Sequence, residues 1–426
     1  MFVLKPLSDR RIAYLWSGQL LSATGAEFYM VAVIWSASTL IGRDAGYVSA
    51  LQAGLLLIGS LFGGIVTDRW SHRATMIAVS LGRAILLLIL SGAAASGLMN
   101  LPLLAGIAAL VALATSAYDP ALQASLPLLA PEALRHATNG LFDATRRMAR
   151  IAGPSLIALI NGILPVGQFF LITAAGFVFS ALGVGLALRG AAMAVPLKTG
   201  GAGRDASVFL DRLIGGFRAI CGHRLMYYGL AADLIGNVSW SMGVLLGMAL
   251  YLRANSADPL TDYGLMMTAY GFGNLGANLA LASLRPRRPA LWLVLSKLIF
   301  GAGVMLLPLA PDRGWLMAFA AFAAINGPLE NLALLHIIQH DFPQQRIAQV
   351  YRLLMCAAFA GLLVGYLSAP GLFGAFGLRP MIMASGAVTL AIGLLGIKRA
   401  RRSPITAAQP GTTGPGTTGE ISQTAP

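Results

Sequence analysis

Charge is what this chain has least of. Asp, Glu, Lys and Arg make up 11% of its 426 residues, against about 25% in soluble domains. Such a chain cannot cover a water-facing surface. With 57% hydrophobic residues and a mean hydropathy of +0.74, it reads as an integral membrane protein. Cysteine is nearly missing: Cys221 and Cys356 stand far apart and match no metal or redox spacing. The chain has no GxxxxGK[ST] phosphate loop, so direct coupling to ATP is not indicated. Its five His form no HExxH zinc motif; His336 and His340, with Asp341 beside them, come nearest to a ligand pair. The opening MFVLKPLSDRR leads into an apolar run with no A-x-A-like cleavage site, so no removed signal peptide is expected. These absences argue against an enzyme, a metal site and a bound cofactor.

What the chain does have is long apolar runs. A bilayer core takes about 20 helical residues, and suitable runs fall at 12–39, 46–67, 74–97, 101–123, 138–161, 165–189, 226–252, 262–284, 290–310, 314–338, 346–369 and 378–397. The expectation is an all-α protein of twelve transmembrane helices. Ten-residue alternating strands are absent, which argues against a barrel. Glycine, at 50 residues, supplies the small side chains used for close helix packing in lipid. The longest interval divides the spans into six and six. The predicted layout is a six-helix bundle over 1–189, a central loop over 190–225, a second bundle over 226–402 and a disordered Pro-, Gly-, Thr- and Gln-rich tail over 403–426. Within the loop, Phe209, Leu210, Leu213, Ile214, Phe217 and Ile220 are spaced for an amphipathic helix, lying on the membrane or packed beneath the bundle.

The net charge of +14 is unevenly placed. With the N-terminus inside, Lys5, Arg10, Arg11, Arg69, Arg73, Arg135, Arg189, Arg224, Arg288, Arg346 and Lys398 face the cytoplasm with most of the other loop cations. Only Arg43, Arg253, Arg313 and Arg379 face outward. This is the positive-inside pattern, and it places both termini in the cytoplasm. Loop cations facing an anionic inner leaflet account for the basic balance without nucleic acid.

One tight charged block interrupts the apolar pattern: GGIVTDRWSHRATM, from Gly63 to Met76. Its Gly64-x-x-x-Asp68-Arg69-x-x-x-Arg73 resembles the loop signature of the major facilitator superfamily, with Ser71-His72 where the pattern has Gly-Arg. The resemblance implies two pseudo-symmetric six-helix bundles working by alternating access. It also implies a latch in which Asp68 docks at the start of span eleven, near Arg346. A helix N-terminus attracts a carboxylate, and Arg69 or Arg73 would hold it there. Gly59-x-x-x-Gly63 in span two and Gly361-x-x-x-Gly365 in span eleven are expected to let those two helices approach. The equivalent second-half loop, RPRRP, has no Asp.

Three further stretches, LWSGQLLSATG, DPALQASLPLLAP and ATNGLFDATRRMARIAGPSL, are similar to a bacterial exporter group, the transmembrane secretion effectors, which includes siderophore and macrolide exporters. The similarity rests on Pro120, Pro127, Asn139, Arg147, Gly153 and Pro154, and Ala149-x-x-x-Gly153-Pro154 looks like a loose antiporter motif. It implies export across the bacterial inner membrane. A Gly-Pro pair also frees a backbone bond and lets span five bend.

Ionisable groups inside a bilayer are costly and point to function. Glu27 lies about 22 Å along span one and Arg83 about 15 Å into span three, at 1.5 Å per residue. Spans one, four, seven and ten each carry one acid: Glu27, Asp119, Asp233 and Glu330. They open the four three-helix repeats that such folds arrange around a central site. A carboxylate in a dry cavity holds a proton more readily, so Glu27, Asp233 and Glu330 are the proton-coupling candidates. The competing reading is pairing, of Asp233 or Glu330 with Lys297 or Arg83. Gln19, Arg83, Asn237, Trp240 and Asn331 are the substrate-cavity candidates, with Asn326 a polar neighbour of Glu330, and Arg147 is a counter-charge or a contact for an anionic substrate. The expected function is proton-driven efflux of a small amphiphilic organic molecule, such as a siderophore or antibiotic, by a monomer. Uptake by the same fold is the alternative, followed by a membrane enzyme or a scaffold.

Overall fold

The structure is a computed structural model that describes residues 2–67, 71–130, 134–189, 215–281, 284 and 288–402. The described residues are helical, joined by short turns, with no strand among them. The long helices are α1 (Arg10–Ile41), α2 (Ala45–Thr67), α3 (His72–Ala95), α4 (Leu101–Leu129), α5 (Arg135–Ile160), α6 (Gly167–Ala187), α7 (Arg224–Asn255), α8 (Pro259–Leu281), α9 (Pro289–Leu306), α10 (Arg313–Asp341), α11 (Gln344–Phe376) and α12 (Leu378–Arg402). Among the described residues, 9 stretches are long and apolar enough to cross a membrane. One of them, Arg10–Leu61, takes in α1 and most of α2. Helices α5 and α8 are not in that set; the first two-thirds of α5 carries Asp143, Arg146, Arg147 and Arg150.

Local chemistry sets where the helices start and turn. Asp9, Ser71, Asn100 and Asp312 accept hydrogen bonds from the backbone N–H of Arg11, Ala74, Leu103 and Trp315, capping the first turns of α1, α3, α4 and α10. Gly42 (φ 59°) turns the chain from α1 into α2, and Gly377 (φ 85°) turns it from α11 into α12, conformations that favour glycine.

Helix α1 packs on α6 and α5, α3 on α4 and α6, and α9 on α10 and α12. Two crossings join the first six helices to the last six: α2 on α11, and α5 on α8. Gly264 and Gly271 of α8 carry the second crossing. A Cβ on Gly264 would lie 2.9 Å from the Pro154 carbonyl oxygen, and one on Gly271 2.6 Å from Ile151. At Gly59, Gly361 and Gly365 the α2–α11 crossing does not use the glycines expected from the sequence. Gly59 faces Ser116 of α4. Gly361 and Gly365 face Leu234, Asn237, Val238 and Ser241 of α7. Helix α2 instead meets α11 through Gly46, against Tyr366 and Pro370, and through Gly54, against Leu363. Small residues permit close approach on whichever side a neighbour lies, and sequence spacing does not name the neighbour.

Two helices depart from regular α geometry. Helix α7 widens into a π segment over Trp240–Gly247, the kind of irregularity often found at functional sites. Helix α10 breaks at Ile325, between Arg313–Ala324 and Asn326–Asp341. Pro328 has no N–H for the Ala324 carbonyl, and Asn274 Nδ2 of α8 donates to that oxygen instead, at 3.3 Å.

The apolar core is continuous at one end of the molecule and divided at the other. The continuous part joins residues of all twelve helices, including Phe28, Val48, Leu87, Ile107, Ile157, Phe169, Leu246, Tyr263, Phe300, Leu316, Phe373 and Ile382. At the opposite end, where α1, α3, α7 and α11 begin, it splits. One cluster contains Ile12, Met76, Leu122, Phe142 and Val184. The other contains Ile220, Met226, Leu293, Ile337 and Val350. Of the central loop, residues 215–220 are described and helical. They pack beneath the helices, with a Cβ on Gly216 3.0 Å from the Gln349 carbonyl oxygen of α11. The rest of the predicted amphipathic segment and the tail from Ser403 lie outside the described residues.

Candidate functional site

A cavity of about 430 Å³ lies below the continuous core, at the level where the core divides. Its walls come from α1, α5, α7, α8, α9, α10 and α11, with Glu27, Arg147, Arg150, Asp233, Asn237, Trp240, Tyr270, Lys297, Glu330 and Asn331 among its lining. Membrane cavities of this kind take irregular helices as walls, because freed backbone groups are tolerated where they line a cavity. The break in α10 and the π segment of α7 both lie here.

Glu27, Asp233 and Glu330 all line this one cavity. Asp119 does not join them; it lies exposed on α4. Lys297 Nζ lies 2.6 Å from both carboxylate oxygens of Glu330. It donates to Oε2, while Oε1 is equally close but off the hydrogen-bonding direction and has no bond of its own. Gly236 makes room for this pair, since a Cβ there would lie 2.6 Å from Nζ. Asp233 Oδ1 accepts from Asn237 Nδ2 at 3.3 Å, and its Oδ2 is buried without a partner. Glu27 makes no hydrogen bond or ion pair among the described residues; Arg150 is its electrostatic neighbour. The Gly153 backbone lies against the Glu27 side chain, where a Cβ would touch it. That gives the Gly153-Pro154 pair of α5 a packing role beside the acid.

The cavity also has an aromatic wall. Trp240 lies 4.7 Å from Tyr270 and 6.4 Å from Phe300, ring centroid to ring centroid. Arg147, on α5, pairs with Asp143 one turn back at 2.9 Å. Sequence reasoning named Asn237, Trp240, Asn326, Asn331 and Arg147 and passed over Lys297, Arg150 and Asn274 as cavity residues. The ionisable residues among these were visible as charges inside spans, but which helix face turns inward was not.

Gln19 and Arg83 lie elsewhere, in a separate buried cluster within the first six helices. The Arg83 guanidinium sits 4.8 Å from the Tyr118 ring centroid and 4.1 Å from that of Phe177, and donates to Thr115 Oγ1 at 3.4 Å. Tyr118 donates its O–H toward Gln19 Oε1 at 3.1 Å. Aromatic faces hold this cation in place of a carboxylate. Of the charged block, Gly64 ends in α2 and Arg73 donates to the Gly185 carbonyl oxygen of α6 at 3.4 Å. Asp68 and Arg69 lie outside the described residues. Among the described residues no group of His, Cys, Asp and Glu is arranged to hold a metal. His336 and His340 stack on one another at 4.3 Å, and Asp341 is bonded to His223 at 3.0 Å.

The architecture has solved counterparts. A peptide transporter POT in complex with sulfate is similar with a TM-score of 0.73 at 12% identity, covering 92% of this chain and 94% of that one. A POT family transporter in complex with 5-aminolevulinic acid gives 0.69 at 13% identity over 93% and 97%. Another, in complex with a thioalcohol-conjugated peptide, gives 0.68 at 13% over 93% and 97%. At such identities the likeness is one of fold. No curated protein matches the sequence. The family model of the Major Facilitator Superfamily matches residues 15–351. With that much of its length matched, and with a central cavity walled by apolar helices, the chain belongs to the major facilitator superfamily of membrane transporters.

Proposed function

We propose that the chain is a proton-coupled secondary transporter that exports a small amphiphilic organic molecule, such as a siderophore or an antibiotic, by alternating access. In this reading twelve spans form two bundles, 1–189 and 226–402, with both termini in the cytoplasm of a bacterium and the chain acting as a monomer in its inner membrane. The observation that carries the proposal is the convergence of Glu27, Asp233 and Glu330 from three helices on one part-aromatic cavity. A carboxylate in such a place is a proton carrier by default, and the aromatic wall suits an amphiphilic cargo. The cavity lies between the two divided clusters, toward the end where Arg10, Arg73, Arg224 and Arg346 stand. By the positive-inside rule that end is cytoplasmic, the side from which an exporter loads.

Glu27 is the proposed proton site, since it has no hydrogen bond or ion pair among the described residues while Glu330 is held by Lys297. Moving one charge through the membrane potential yields about 2.3 kcal/mol per 100 mV, enough to drive a substantial substrate gradient. In proteoliposomes with an imposed pH gradient, Glu27→Gln is expected to abolish uphill flux while keeping downhill exchange. Normal uphill flux in that variant would remove the assignment. Uptake is the second reading. It is favoured by the opposed charges of the cavity, which also fit a zwitterion of the kind bound in the solved relatives with a peptide conjugate or 5-aminolevulinic acid. Accumulation of substrate in cells lacking the protein supports export, and loss of entry supports uptake.

A further inference from the structure

Two of the cavity's acids, Glu27 and Asp233, have no ion pair among the described residues, and they differ in what stands near them. Six ionisable side chains that carry full charges line the cavity: Glu27, Asp233 and Glu330 against Arg147, Arg150 and Lys297. Lys297 is held by Glu330, Arg147 by Asp143, and Arg150 is the neighbour of Glu27. Asp233 has no cation of its own within ion-pair distance among the described residues. Its electrostatic neighbours are Lys297 and Glu330 together, whose charges cancel. One carboxylate oxygen takes a single amide hydrogen bond, from Asn237, and the other is buried without any partner. A lone buried carboxylate is stable only when it takes up a proton or gains a cation. Trp240 lies seven residues, about two turns, further along the same helix. With Tyr270 and Phe300 it forms an aromatic surface beside the acid, which favours a cation attached to an apolar body.

We infer that the transported molecule carries a protonated amine, that this ammonium binds the free carboxylate oxygen of Asp233, and that its apolar body lies on Trp240, Tyr270 and Phe300. The inference rests on the transporter reading above and names the chemical class of its cargo. An anionic cargo without an amine would add a like charge to the unpaired acid. A cation completes the pairing.

The test is equilibrium binding to the full-length protein in lipid nanodiscs, read by fluorescence anisotropy of a dansyl alkylamine and of its N-acetylated form. The two probes share one body and differ in charge. The amine is expected to bind about 30-fold more tightly to the wild type, and within about three-fold of the acetylated probe on Asp233→Asn, as loss of a buried charge-paired hydrogen bond predicts. Equal binding of the two probes to the wild type overturns the inference, as does an amine preference that survives in Asp233→Asn. A second measurement needs no variant: tetraphenylphosphonium should displace the dansyl amine from the wild type and tetraphenylborate, of the same shape and opposite charge, should not. Displacement by the borate alone overturns the inference. Binding requires neither a direction nor a gradient. Failure here with uphill flux intact therefore removes the amine assignment and leaves the transporter, whereas amine binding without flux removes the transporter reading.

Discussion

The side chains of Lys297 and Glu330 are 2% and 10% exposed, so neither charge has water to fall back on. Removing one partner strands the other, and breaking a buried pair costs about 3–5 kcal/mol. Lys297→Met is therefore expected to lower thermal stability by that order. Lys297→Met combined with Glu330→Leu should recover most of the loss, because an apolar pair of similar volume is often no less stable. Thermal unfolding of the three proteins in one detergent checks this, and a double variant less stable than Lys297→Met would show that the pair has other duties. Residues like these were half legible in the sequence. That Lys297 and Glu330 are charges inside spans can be read directly, and pairing was one of the readings left open. That Glu330, and not Asp233, takes the lysine depends on how α9 and α10 pack and on the space left by Gly236. Arg83 was misplaced for a related reason. Depth in a span marks a charge as costly without saying what relieves the cost, and here two aromatic rings do so.

At the scale of the helix, hydropathy was a good guide to position and a poor one to shape. The expected span 12–39 falls inside Arg10–Ile41 and the expected 46–67 inside Ala45–Thr67, because about 20 apolar residues are what a bilayer asks of any helix. The π segment of α7 and the break in α10 left no hydropathy signal, since both keep their apolar residues. Pro328 was the local clue to the break. Its missing N–H frees the Ala324 carbonyl, which Asn274 satisfies, and the displaced turn brings Asn326, Glu330 and Asn331 to the cavity. Pro328→Ala should let the helix close through this point. A proline inside a helix costs about 3 kcal/mol relative to alanine, so stability should hold or rise by up to that amount, while transport falls as Glu330 and Asn331 turn away. Unfolding temperature and flux, measured on the same preparation, separate the two effects. Unchanged transport would show that the break does not set the cavity geometry.

For the whole molecule, the asymmetry of the core is the main fact. One end is sealed by a continuous apolar cluster and by polar ties between the first six helices and the last six. Arg253 of α7 donates to Ser38 and Thr39 of α1 at 2.5 and 3.1 Å, and Asn161, just past the end of α5, donates to Asp258 and Thr261 at 2.8 and 2.9 Å. The other end holds two separate clusters. An alternating-access cycle must open the first and join the second, and in such a cycle each tie at the sealed end biases the balance toward the form seen here. Arg253 is itself exposed, so its two bonds together are worth about 1 kcal/mol after screening. Arg253→Ala should then shift the balance about five-fold toward the form open at this end, since 1.4 kcal/mol is tenfold. A cysteine placed at Trp35, which lies 6.0 Å from Tyr263 beneath the seal, reports the change in a background lacking Cys221 and Cys356. Its labelling by a membrane-impermeant maleimide, added from the face that Arg253 occupies, should speed up by that factor in Arg253→Ala. Labelling of a cysteine at Asn331, on the cavity wall, should slow when reagent is added from the opposite face. Both rates must move, in opposite directions, for the two ends to be parts of one switch; a rise at Trp35 with no fall at Asn331 would mean only that the seal has loosened locally.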